Sequence, residues 1–356
     1  MNNERIQEIL DLMEEARLDY FLISDPQSIA YCTGYYNDPH ERMFVFMVSK
    51  HGNHTLFMND LFYLEDDLDV NIVWHKDGQD AIQTIVDEMH FPGRIGIDKN
   101  WPSHFLLSLM KKLPDAKYIN ASPCVDLVRM KKDIQEQVLM IESSKINDAV
   151  MEEIIPFIQE GVTEKQLAKK LDELFFNHHS TCYGAIVAFG KNAADPHHEN
   201  DDTPLKKGDC VLIDMGCVYQ GYCSDMTRTF FYEGIREEEI KVYEIVKKAN
   251  EAAEALIKPG VKLSEIDKCA RKVISDEGYG KYFTHRLGHF IGRDVHEYGD
   301  VSSVNEMEVE EGMIFSIEPG IYLEGNFGVR VEDLVMVTKE GCQVLNSFTK
   351  DIYIIY

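Results

Sequence analysis

Two stretches of this sequence put acids where apolar strands should be, and few folds tolerate that. Residues 211–227 read VLIDMGCVYQGYCSDMT, with Asp214 inside an apolar run and Asp225 beyond a Gln-Gly turn. Apolar and β-branched residues on both sides of such a turn predict a β-hairpin. Opposed residues of an antiparallel hairpin have position numbers with a constant sum. A turn centred on Tyr219-Gln220 therefore sets Val218 against Gly221 and Asp214 against Asp225. Directly opposed side chains stand with Cβ atoms ~5 Å apart. Two carboxylates at that spacing repel, and burial makes the repulsion worse. The arrangement survives if one acid is protonated or a cation lies between the two. The second stretch, MIFSIEPGIYLEGNFGVRVEDLVMVT from Met313 to Thr338, turns at Glu324-Gly325-Asn326. Centring it on Gly325 sets Glu318 against Glu332. Exposed strand faces, or a turn centre misplaced by one residue, would explain either pair alone, since a one-residue slip moves partners out of line. Recurrence in two hairpins favours a common purpose.

Between the hairpins lies HRLGHFIGRDVHEYGD, with His285, His289 and His296 among glycines that permit close backbone approach. It does not match the HExxH zinc motif. DPHHEN adds His197 and His198 in a polar loop, where adjacent histidines are most often solvated. Four carboxylates and an imidazole form a hard, oxygen-rich set that favours Mn²⁺, Co²⁺ or Fe²⁺ over a thiolate zinc site. Four acids are too many for one ion with an open position. They suit two ions ~3.5–4 Å apart, an arrangement that lowers the pKa of a bound water and polarises a carbonyl. The reaction class expected is metal-assisted hydrolysis.

The chain has 356 residues and a formal charge of −26, which argues against nucleic acid or an anionic membrane surface as partner. No apolar run approaches a membrane span. The opening MNNERIQEILDLMEEARLDYFLIS predicts an acidic amphipathic helix and a strand rather than a signal peptide, so the cytoplasm is the expected compartment. The eight cysteines include no CxxC pair, and Cys210, Cys217 and Cys223, which flank the two aspartates, read as small core residues.

Helix and strand patterns alternate up to about Pro123, which predicts a small α/β domain over residues 1–123. Residues 124–356 predict a second domain of α+β type with mixed or antiparallel sheet. It opens on a long helical stretch from Arg129, broken near Pro156, followed by a helix with Thr163 as N-cap.

The order Asp214, Asp225, His289, Glu318, Glu332 resembles that of the pita-bread metallopeptidases, namely aminopeptidase P, prolidase and methionine aminopeptidase. IDMGCVYQGYCSDMTRTF, HRLGHFIGRDVHE, FSIEPGIY and GVRVEDLVMVT carry the likeness, which spans about residues 125 to 356, and RMKKD resembles the segment entering the catalytic domain. The preceding domain is similar to the creatinase-like N-terminal domain of the prolidase and aminopeptidase P branches. Methionine aminopeptidases usually lack it.

The resemblance implies two divalent metal ions, Mn²⁺ first, with Co²⁺, Fe²⁺ or Zn²⁺ as substitutes. Asp214 would chelate one ion, Asp225 and Glu332 would bridge both, and His289 and Glu318 would complete the other. Glu318 would also take the proton of a metal-bridging water acting as nucleophile. His197 would steady the substrate or leaving group, and His296 would contact the scissile carbonyl. His285, Arg330 and Tyr322 would line the pocket, with Arg330 holding a carboxylate in place; His198 matches nothing in the family. The implied substrates are short peptides with proline in second position, or Xaa-Pro dipeptides, and the implied assembly is a homodimer. Prolidases usually carry an arginine shortly after the histidine matched by His296, and EYGDVSSVNEMEVEEG has no basic residue there. That leans toward aminopeptidase P, unless Arg42 substitutes. Phe290 adds bulk where the family usually has glycine. Two rival readings keep the fold: a hydrolase or lyase of a non-peptide small molecule, of amidinohydrolase or ectoine-derivative type, and a non-catalytic binding module. Creatinases generally lack the full metal set and the binding modules typically lose ligands, whereas all five are present here.

Overall fold

The computed structural model describes residues 1–64, 68–90 and 92–356. The chain divides into two compact units, Met1–Arg129 and Met130–Tyr356.

In the first unit, α1 (Asn3–Glu15) starts at Asn2, whose side chain accepts from the Arg5 amide, and buries Ile6, Ile9 and Met13 along one face. There follow β1 (Tyr20–Ile23), α2 (Pro26–Thr33), β2 (Val45–Ser49), β3 (Thr55–Asn59), β4 (Asn71–His75), α3 (Ala81–Glu88), β5 (Arg94–Ile97), α4 (Ser103–Lys112), β6 (Lys117–Asn120) and α5 (Pro123–Met130). The strands form one mixed sheet in the order β4-β3-β2-β1-β5-β6. β1 and β2 are buried throughout, as strands covered on both faces must be. Phe21, Ile23, Phe46 and Val48 enter one core, and Tyr20, Leu22, Val45 and Met47 the other. This is the expected α/β domain. Arg42 is held by Asp77 through two hydrogen bonds of 2.9 and 2.8 Å.

In the second unit the long helix starts later than expected. α6 (Ile134–Ile154) begins where Asp133 caps the Gln135 and Glu136 amides and Glu136 returns the bond. Pro156 sits in a short 3₁₀ turn just beyond its end. α7 (Glu164–Asn177) opens at the expected N-cap Thr163, in a capping box with Gln166. The strands β7 (Thr181–Cys182), β8 (Ile186–Phe189), β9 (Cys210–Met215), β10 (Cys217–Tyr219), β11 (Tyr222–Cys223) and β12 (Met226–Tyr232) precede α8 (Glu237–Leu256) and α9 (Leu263–Asp276). The last third holds β13 (Gly288–His289), β14 (Asp300–Val301), β15 (Ile314–Ile317), β16 (Gly320–Leu323), β17 (Phe327–Arg330), β18 (Asp333–Val337), β19 (Cys342–Val344) and β20 (Ile354–Ile355). The ladders are antiparallel apart from β12 with β20. α6 packs against α7, and α8 against α9.

Candidate metal centre

The two hairpins position the acids, though not both in the register expected. Gln220 and Gly221 have φ of 47° and 81°, which makes them the two central residues of a tight turn between the paired Tyr219 and Tyr222. Two consecutive positive φ values suit Gln-Gly and not Tyr-Gln. The turn is therefore centred one residue later than the sequence reading placed it, and Asp214 pairs with Thr227 instead of Asp225. Asp225 stands two residues along, so the two acids are diagonal neighbours. In the second hairpin the Gly325 centring holds. Ile317 pairs with Asp333 and Gly320 with Arg330, the register that opposes Glu318 to Glu332.

The ladders also break where the acids sit. Asp225 falls between β11 and β12, Glu318 between β15 and β16, and Glu332 between β17 and β18. A break in pairing re-aims a side chain that regular pleating would fix, a common device beside active sites. Gly216 interrupts the strand opposite Asp225. A Cβ there would meet Ser224 O and the Tyr183 hydroxyl, each at 2.0 Å.

Asp214, Asp225, His289, Glu318, Glu332, His197, His285, His296 and Arg330 line one cavity of about 380 Å³. Ligand atoms of Asp225, His289 and Glu332 lie within 4.8 Å of one another. His289 Nδ1 is 3.2 Å from the Phe290 carbonyl, and this contact assigns the N–H to Nδ1. Nε2 then turns a lone pair toward Asp225 Oδ2 at 3.5 Å and Glu318 Oε1 at 3.7 Å. Acceptors facing acceptors need a proton or a cation between them.

The charges say the same. Burial and the charge of Asp225 push Asp214 up to about 6, although Arg330 pulls it down. Burial raises Glu318 to about 7 against the pull of His289 and Arg330. Glu332 is raised well above the carboxylate range by burial and by Asp225, Glu318 and Asp214. Burial would lower His289, but Asp225 and Glu318 outweigh it and the ring is raised. Among the described residues lining the cavity, the only permanent cations are Arg286 and Arg330. The donor set therefore fits divalent cations: buried carboxylates crowded together, short of positive charge, with an imidazole nitrogen aimed among them.

Arg330 ties the wall together. Its Nη2 donates to Asp214 Oδ2 at 2.7 Å, its Nε to Thr227 Oγ1 at 3.0 Å, and its Nη1 to the Tyr322 hydroxyl at 3.0 Å and Pro196 O at 3.3 Å. Thr227 in turn donates to Glu332 Oε2 at 2.6 Å. Tyr322 stands behind the wall, 2.8 Å from His285 Nε2. Burial lowers His285 and His296 to about 4, so both rings are neutral near pH 7.

Three residues in or directly behind the wall are not singled out by the sequence. Tyr183 donates to Ser224 O at 2.8 Å, and neither its loop nor its spacing marked it. Thr227 looked like an ordinary strand residue. Arg286 was in plain view inside HRLGH but was passed over for the histidines beside it. The three thiols flanking the aspartates are buried, and none lines the cavity.

The profile of a family described as metallopeptidase family M24 matches residues 138–339, and that of the creatinase/prolidase N-terminal domain matches residues 5–131. An uncharacterized peptidase of Staphylococcus aureus is 35% identical over 355 residues, covering 97% of this chain and 99% of its own. The solved prolidase from Thermococcus sibiricus superposes with a TM-score of 0.92 at 32% identity, covering 99% of both chains. The Xaa-Pro dipeptidase from Bacillus anthracis does so at 0.91 and 29%, covering 99% of both. With both of its domains matched and nearly its whole length shared with a curated peptidase, the chain belongs to metallopeptidase family M24.

Proposed function

We propose that this enzyme hydrolyses the Xaa-Pro bond of dipeptides, with Asp214, Asp225, His289, Glu318 and Glu332 holding two divalent ions. The observation that carries the proposal is the convergence of those five ligands with His197, His285 and His296 on one cavity. Manganese(II) suits the oxygen-rich set, and such ions activate a bound water and polarise the scissile carbonyl. The protein supplies the rest. Glu318, 3.7 Å from His289 Nε2 in the cavity wall, would take the proton of the activated water. His296 and His197 face the substrate, His296 as a neutral donor toward the scissile carbonyl and His197 toward the leaving group. Arg330 fixes Asp214 through its 2.7 Å bond.

Arg286 supports the dipeptide reading over the aminopeptidase one. It lines the cavity, is exposed, and has no acid partner among the described residues. With His285 and His296 neutral, it is the free positive charge of the wall, placed to receive a substrate carboxylate. A dipeptide offers its carboxylate next to the proline, whereas a longer peptide offers an amide there. The free thiols suit a reducing compartment, and we place the enzyme in the cytoplasm.

The test compares Ala-Pro with Ala-Pro-Ala on manganese-loaded protein. Ala-Pro is expected to be the better substrate. Arg286→Gln is expected to raise KM for it about tenfold, as losing a charge-assisted hydrogen bond should. Preference for Ala-Pro-Ala would move the activity to the aminopeptidase class. Turnover of neither would favour a non-peptide substrate.

A further inference from the structure

His198 has no place in the proposed chemistry, yet it is well engaged. Its Nε2 lies 2.6 Å from Glu164 Oε2, and the two side chains are 12% and 0% exposed. Glu164 is the first residue of α7, where the helix dipole favours an acid. Its other bonds all come from the segment around His197. Oε1 accepts from the Phe189 amide and from Asn192 Nδ2, both at 2.9 Å, and Oε2 also accepts from the Asp201 amide at 3.0 Å. Asn192 further reaches Thr203 Oγ1 at 3.2 Å. Glu164, His198 and Asp201 lie close enough together to hold a metal. However, each Glu164 oxygen already has two donors, and Asp201 is exposed and takes the Thr203 amide at 2.6 Å. Glu164 is thus a saturated anchor.

The neighbouring residues show what is anchored. Pro196 O is held by Arg330 at 3.3 Å, and the His197 amide donates to Asp195 Oδ1 at 3.0 Å. His197, between these ties and His198, lines the cavity.

We propose that Glu164 and His198 are a positioning pair that clamps the 195–201 loop and so sets His197 in the cavity. The proposal rests on His197 facing the substrate, and its test separates the two ideas. On manganese-loaded full-length protein with Ala-Pro, His198→Ala should lower kcat/KM roughly tenfold to a hundredfold, the scale of misplacing a substrate-contacting group. His198→Gln, whose amide can reach the same oxygen, should restore most of it. The double variant His197→Ala/His198→Ala should be no slower than His197→Ala, because a residue acting through His197 then has nothing left to place. Bound metal per chain should be unchanged throughout. Additive losses in the double variant overturn the pair, and so does loss of one bound metal per chain in His198→Ala. Parental activity of His197→Ala is a different failure, which removes His197 from the chemistry and the pair's purpose with it. Apart from turnover, ¹⁵N-histidine NMR should show a protected His198 Nε2–H that vanishes in Glu164→Gln. A freely exchanging His198 ring in the parent would sink the proposal even if the alanine variants failed to fold.

Discussion

Glu164 and Glu332 are buried to almost the same degree, 0% and 2% exposed, and their surroundings are opposite. Glu164 accepts four hydrogen bonds, two on each oxygen, all from N–H donors. Glu332 receives the Thr227 hydroxyl on one oxygen and shares its cavity with three further acids. A buried carboxylate kept for structure is surrounded with donors, because an unsatisfied buried acid is costly. Glu332 and its neighbours repel one another instead, and the chain keeps them together. The difference separates an acid the protein has neutralised for itself from acids that need a cation from solution. Burial alone does not reveal which is which; the donor count does.

Asp225→Asn attacks the comparison hardest. It should remove at least one bound metal and cut hydrolysis roughly a thousandfold or more, the scale of losing a principal electrostatic stabiliser. Metal analysis and Ala-Pro turnover read this out. The metal-free variant should also melt higher than the metal-free parent by a few degrees, since one of the mutually repelling charges is gone, worth roughly 1–2 kcal/mol. Turnover at the parental rate would show that Asp225 does not hold metal, and a lower melting point would show that the acids are not in conflict.

Glu164→Gln is the mirror experiment, with a smaller effect. An amide cannot accept on its nitrogen, so the His198 and Asp201 donors lose their partner and stability should fall by roughly 1–3 kcal/mol, metal-free or loaded. Bound metal should stay at the parental level. A metal-free Glu164→Gln protein as stable as its parent would mean that the donor-rich acid is as dispensable as the donor-poor ones.

The same physics decided what the sequence disclosed. An acid amid Val, Leu and Ile stands out because it breaks the strand pattern, and Asp214, Asp225, Glu318 and Glu332 were legible for that reason. Register was legible where the turn was symmetrical about one glycine, Gly325. It was missed by one residue at Gln220-Gly221, where the positive φ of a non-glycine residue decides the centre. The ladder breaks that aim three of the acids were hidden, since each depends on two strands meeting far along the chain. α2 carries its signals locally, with Asp25, Pro26 and Gly34 as N-cap, first turn and left-handed C-cap. β4 is faint in the sequence because Asn71 to Trp74 are not fully buried and the apolar run is short. Glu164 could not be found at all. It looks like any first-turn glutamate, and its donors lie up to 37 residues away.

The smallest expected effect is on Cys217. Cys217 lies three residues beyond Asp214, past the interruption at Gly216, so strand alternation turns it to the other face. Its sulfur sits against α6, 3.7 Å from Ser143 Oγ, and 3.4 Å from Ser224 Oγ. It does not line the cavity. Cys217→Ala should therefore leave bound metal and kcat unchanged and cost about 1 kcal/mol for the small void left behind. Loss of one metal per chain would bring a thiolate into the ligand set. A softer metal would then be favoured, and the crowded carboxylates would no longer mark a purely oxygen- and imidazole-lined centre.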